Sequence, residues 1–183
     1  MIFLPNNFER YCAALRNTVQ LSIIKNGLKP KYFKTFKKIY EAEAFFSREE
    51  ILPIDLGLFL HQLLLSAHIK LLENNRSINI SLKIKGVFLI NRKLFTALIL
   101  NICQNSKYIK ISYLNGKILI YAKCNTGILK PIITFLNGNI YFERKKGDFL
   151  ITLPTIKTDK SPIKTEEWEY SQNPFSPVNI FIN

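Results

Sequence analysis

The chain has 183 residues, 48% of them hydrophobic and 13% aromatic, and its 26 Lys and Arg against 13 Asp and Glu give a net charge of +13. That length suits one ordinary domain or two small ones, and the apolar content builds a real core, which excludes a disordered chain. Seven glycines are few for a fold built on Gly-rich phosphate loops, and three widely spaced cysteines (Cys12, Cys103, Cys124) exclude a disulfide framework or a metal-ligand spacing.

No apolar run approaches the roughly 20 residues that span a bilayer. The opening Met-Ile-Phe-Leu-Pro-Asn-Asn lacks the basic flank and longer apolar stretch of a signal peptide. A soluble chain in a reducing cytoplasm is expected. The positive charge is uneven: residues 1–40 carry Arg10, Arg16, Lys25, Lys29, Lys31, Lys34, Lys37 and Lys38 against Glu9 alone. Such a segment attracts something acidic, whether nucleic acid, an anionic membrane face or an acidic protein surface.

In chain order, Phe8, Tyr11, Cys12, Leu15, Val19 and Ile23 recur at helical spacing and predict a helix over 7–26, stopped by Gly27. Pro30 then opens a second helix over 31–46, with Phe33, Phe36, Tyr40 and Ala44 on one face. Two amphipathic helices joined by a short turn form an antiparallel hairpin. Alone it leaves an apolar stripe uncovered, and pairing with a second copy in a four-helix bundle would bury it. Pro53-Ile54 breaks the pattern, and Asp55 caps a third helix over 56–74, which holds His61 and His68. Ile78 to Ile84 alternates as a half-buried strand does. A helix over 91–105 follows, then strands 107–113 and 116–122 around Asn115-Gly116. A short helix near 129–136 and strands 139–144 and 148–153 complete the pattern. The sequence therefore predicts an α+β chain, a helical hairpin (1–50) followed by an α/β sandwich (51–156), with a poorly ordered tail (157–183).

The segment Leu98-Ile-Leu-Asn-Ile-Cys-Gln-Asn-Ser-Lys-Tyr108 puts Asn101 and Asn105 on one side of its helix. It resembles the N box of the histidine-kinase-type ATP-binding domain, where such amides face the nucleotide phosphates and Mg²⁺. The element order from residue 8 to 154 resembles the cytoplasmic core of sensor histidine kinases, in which a dimerisation and phosphoacceptor hairpin precedes a catalytic domain with a mixed sheet. Three further matches carry the resemblance. Cys12-Ala-Ala-Leu-Arg-Asn17 looks like the phosphoacceptor box, with Ala13 at the position of the phosphorylated histidine. A methyl group accepts no phosphoryl group. Lys123-Cys-Asn-Thr-Gly-Ile128 stands where the family has Asp-x-Gly-x-Gly-Ile. Lys123 replaces the acceptor that reads adenine, and lysine has no acceptor to offer. Gly127 survives, and Lys107 falls near a basic residue of the family. Finally, Leu136-Asn-Gly-Asn-Ile140 and the strand ending Leu153-Pro154 resemble the closing hairpin, but the ATP lid and second glycine box have no counterpart. Without those backbone N–H groups nothing cradles a triphosphate.

The resemblance thus implies a catalytically inactive relative that needs no cofactor, with Mg-ATP bound only if the degenerate pocket still works and Asn105 then the residue for Mg²⁺. It implies a homodimer that engages a response regulator or a working kinase, with Arg16, Lys25, Lys34, Lys37 and Lys38 as the contact residues. Two alternatives compete: a basic nucleic-acid-binding regulator that reuses the fold, and a phosphotransferase with a non-standard acceptor such as His61 or His68.

Overall fold

A computed structural model describes residues 5–26, 29–46, 51–123, 126–143, 148–163 and 176–182. Helices α1 (Pro5–Asn26) and α2 (Pro30–Phe46) pack on one another as the expected hairpin. Strand β1 (Leu52–Asp55) leads into α3 (Leu56–Glu73), and the Asp55 carboxylate accepts the Leu58 N–H at 3.0 Å as its cap. Strands β2 (Asn79–Lys83) and β3 (Val87–Ile90) precede α4 (Arg92–Asn105), which Asn91 caps in the same way. Then come β4 (Tyr108–Leu114), β5 (Lys117–Ala122), α5 (Thr126–Phe135), β6 (Asn139–Glu143), β7 (Asp148–Pro154), β8 (Ile156–Thr158) and α6 (Pro177–Ile182).

A five-stranded sheet runs β2-β4-β5-β7-β6, with β2 parallel to β4 and the other pairs antiparallel, so the sheet is mixed. The Asn115-Gly116 turn has φ of 49° and 75°, the doubly left-handed geometry that Asn-Gly supplies between strands. Gly138 is fixed by space instead: a Cβ there would lie 2.5 Å from Leu153 Cδ2 and 2.7 Å from the Thr152 carbonyl. The core lies between this sheet and a layer made by α3, α4 and α5.

Three strands were not expected from the sequence pattern. β1, β3 and β8 form a second sheet in the order β1-β3-β8. Pro53 is tolerated because β1 is an edge strand, and the Pro53 carbonyl accepts the Ile163 N–H at 2.9 Å. The expectation of a poorly ordered tail over 157–183 is also corrected in part. β8 runs across its proposed start, and α6 is buried, with Val178, Phe181 and Ile182 sealed in the core. Residues 164–175 lie outside the described set.

Helix α6 packs against α2, α3 and α4 together. Phe181 meets Tyr40 edge-on at 5.6 Å, and the Ile182 carbonyl accepts from Asn74 Nδ2 at 3.0 Å. The apolar stripe of α2 (Phe36, Ile39, Ala44) is therefore covered within the chain, by α4 and α6. On α1, by contrast, Tyr11, Leu21 and Ile24 stay exposed, so part of the hairpin's apolar surface is left uncovered by the described residues. A Phe181→Ala variant should lose about 3–5 kcal/mol of unfolding free energy in urea denaturation. A change within about 0.5 kcal/mol, the range of ordinary surface substitutions, would mean that α6 does not hold the helices together.

Candidate functional site

The asparagine pair lies in the last turns of α4, and the helix turns it toward α2. Asn101 is only 1% exposed. Its Nδ2 donates to Glu41 Oε1 on α2 and to the Ala97 carbonyl, each at 3.0 Å. Its Oδ1 is buried with no partner among the described residues. Asn105 is exposed, and its Nδ2 donates back to the Asn101 carbonyl at 2.9 Å. The pair shares a helix side as expected, but the inner amide is spent on the hairpin.

The same seam holds Lys37. Its Nζ donates to Gln104 Oε1 at 2.7 Å and stands 5.0 Å from the centre of the Phe181 ring. Burial of the ammonium lowers the Lys37 pKa from its ordinary 10.5, and the nearby Glu41 charge opposes this in part. Arg76 donates to the Gln104 carbonyl from the loop after α3. Lys37, Glu41 and Asn101 thus tie α2 to α4 along a polar line within an apolar contact.

Ser106, which sequence reasoning passed over, closes α4. Its Oγ donates to the Tyr108 carbonyl and accepts the Lys123 N–H at 3.2 Å, tying the end of α4 to the end of β5. A serine that interrupts a helix just before an alternating strand was the available signal. Glu41 and Gln104 were missed because a partner across some sixty residues leaves no local pattern.

The remaining candidates are dispersed. Ala13 is exposed on α1, with no hydroxyl, thiol or imidazole of its own to carry a phosphoryl group. Lys107 and Lys123 are exposed at the ends of neighbouring strands, and Gly127 is exposed in the first turn of α5. Residues 124 and 125 lie outside the described set. Arg16 is paired with Glu43 inside the hairpin, so Arg16 and Lys37 are both engaged within the fold, whereas Lys25, Lys34 and Lys38 are exposed. His61 is exposed and His68 half-buried on α3. Among the described residues no group of three His, Cys, Asp or Glu side chains is set to hold a metal ion. None of the described helices is long and apolar enough to cross a membrane.

A cavity of about 380 Å³ lies at the other end of α4, lined by Leu94, Phe95, Phe135 and Leu153 together with the polar Asn91 and Thr155. It is separate from the asparagine pair, which sits about two helical turns further along.

The seam makes two measurable demands. In a double-mutant cycle of Asn101→Ala and Glu41→Ala, the two side chains should couple by about 1–3 kcal/mol, as a hydrogen bond to a charged group does. Coupling indistinguishable from zero would mean that the contact does not form in solution. The second concerns pH. A lysine pKa lowered by folding means that the folded chain gives up this proton first. Between the lowered value and 10.5 this site's contribution to stability therefore rises with pH. Denaturation across that window should find the wild type gaining on Lys37→Met as the pH rises; a flat difference would mean that Lys37 stays solvated.

No protein-family model matches the sequence, and no curated protein matches it. Among solved structures, the chain is similar to the Acinetobacter baumannii histidine kinase AdeS, with 14% identity, 82% of this chain and 97% of that one covered, and a TM-score of 0.44. It is similar also to the cytoplasmic segment of histidine kinase QseC, with 10% identity, 86% of this chain and 99% of that one covered, and a TM-score of 0.43. The similarity is one of fold, and at such identities no residue role passes from either protein to this chain.

Proposed function

We propose that this chain is a catalytically inactive, histidine-kinase-like protein that acts by binding partners of two-component signalling, a response regulator or a working kinase. The observation that carries the reading is the commitment of Asn101. The amide that the N-box resemblance would turn toward nucleotide phosphates is buried and bonded to Glu41. A carboxylate at that position repels a triphosphate by like charge. Two sequence features support the same reading: alanine at position 13 and lysine at position 123.

The basic hairpin supplies the means of binding. Lys25, Lys34 and Lys38 project from α1 and α2 into solvent and suit an acidic pocket such as a response regulator presents. Contacts of that kind set on-rate and specificity and weaken as salt rises. The +13 charge also favours nucleic acid, and a steep fall of retention on a nucleic-acid column with salt would support that reading.

Calorimetric titration of the full chain with Mg-ATP and Mg-ADP tests the proposal. No binding tighter than about 1 mM, equivalent to about −4 kcal/mol, is expected. A clear isotherm below that value would overturn the inactive reading. Reversing Lys25, Lys34 and Lys38 to Glu should abolish capture of receiver domains without changing the thermal unfolding profile.

A further inference from the structure

Helices α3, α4 and α5 cover one face of the five-stranded sheet, where Ile109, Ile111, Ile118, Ile120, Ile151 and Leu153 enter the core. Alternation turns their neighbours in each strand to the opposite face, and register sets those neighbours side by side. Lys110 of β4 lies opposite Tyr121 of β5. Tyr121 lies opposite Leu150 of β7, and Leu150 opposite Tyr141 of β6. None of these four belongs to the core cluster. Lys110 and Tyr141 are exposed, and Tyr121 and Leu150 are half-buried.

This face is basic over most of its width. β2, β4 and β5 contain no acidic residue, and their three lysines, Lys83, Lys110 and Lys117, all fall on it and are exposed. Its acids among the described strands are Glu143 and Asp148, opposite one another at the corner where β6 and β7 begin to diverge. The Lys110 ammonium stands 5.8 Å from the centre of the Tyr121 ring, so cation and ring form one patch. Strands about 4.8 Å apart put Tyr121 and Tyr141, two strands removed, about 10 Å apart along one row.

We propose that this face binds single-stranded nucleic acid, with bases stacked on Tyr121 and Tyr141 and phosphates met by Lys83, Lys110 and Lys117. Charge and ring placement together choose this occupant, on a chain whose net charge is +13. An acidic protein segment satisfies the lysines but brings no regular repeat of flat groups for the two rings. A duplex brings phosphates but keeps its bases stacked inside, away from a broad sheet. A single strand brings both, because its unpaired bases splay from a charged backbone onto aromatic platforms. Glu143 and Asp148 repel phosphate, so the backbone runs on the side of β2, β4 and β5. The hairpin packs on α4 and α6, so its lysines form a different surface and the assignment does not rest on them. Nor does it depend on whether a nucleotide reaches Asn101.

Fluorescence anisotropy of the full chain with a labelled oligo-dT of about 12 nucleotides, within the site sizes of single-strand binders, tests this. The single strand should bind more tightly than a duplex of equal length. Tyr121→Leu with Tyr141→Leu changes no charge and should weaken single-strand binding at least about tenfold, with duplex binding unchanged. Replacing Lys83, Lys110 and Lys117 together by Gln, all at exposed positions, should weaken binding and cut the log–log salt slope by about 2. Reversing Lys25, Lys34 and Lys38 to Glu should leave the preference for single strand over duplex intact. Absence of binding at low salt would overturn the proposal, as would equal affinity for the duplex. So would poly-glutamate that competes as well as oligo-dT at equal charge, since the face would then read charge alone. A ring variant that keeps its thermal unfolding profile and binds like the wild type would also sink it. If the ring variant unfolds, the lysine variant decides: unchanged affinity there, with loss on reversing the hairpin lysines, would move the binding to the hairpin and overturn the assignment.

Discussion

The fold depends on how α2 covers its second face. A helix in a two-helix hairpin buries one stripe against its partner, and Phe36, Ile39 and Ala44 need more cover than α1 provides. That cover comes from α4 and from the six residues of α6, inserted where α2, α3 and α4 converge. A helix of six residues has no stability alone, because nucleation is unfavourable and too few bonds follow it. α6 therefore exists only as part of this junction, and the junction seals only because α6 fills it. The dependence is mutual, and it joins the hairpin to the sandwich through the last residues of the chain.

A polar line runs through this apolar junction. Drawing Lys37 and Glu41 partly, and Asn101 wholly, out of water costs desolvation, which the Lys37–Gln104 and Asn101–Glu41 hydrogen bonds and the Phe181 ring offset in part. An all-apolar contact between two helices tolerates sliding by a turn. Paired polar groups do not, because a slip leaves Asn101 buried, and Lys37 and Glu41 half-buried, without their partners. The seam thus fixes which turn of α2 meets which turn of α4.

Most of the elements are legible in the sequence because their signals are local. Asp55 and Asn91 cap their helices, Asn115-Gly116 turns its hairpin, and the apolar face of α3 is buried as its spacing requires. What escaped notice is short or distant. β1, β3 and β8 have three or four residues each, too few for periodicity to speak, and Pro53 argued against a strand that only its edge position allows. α6 was hidden by the Pro-rich segment before it. The asparagine pair was readable as a pair, but its partner was not: nothing near Glu41 in the sequence marks it as the acceptor for Asn101.

The two roles available to Asn101 are mutually exclusive. An amide nitrogen bonded to Glu41 and to the Ala97 carbonyl has used both of its hydrogens. For a triphosphate to reach it, Glu41 must leave, and Glu41 stands on α2, one turn from Lys37. Withdrawing the carboxylate opens the contact that orients the hairpin, so nucleotide binding and hairpin docking draw on the same atoms. A chain that retained ATP as its ligand would gain nothing from a negative charge at this position. In a chain that uses its hairpin as a fixed arm, the same charge neutralises part of a lysine-rich helix and locks it in place. Asn101 is then a structural residue of the contact between α2 and α4, while Lys25, Lys34 and Lys38 stay exposed.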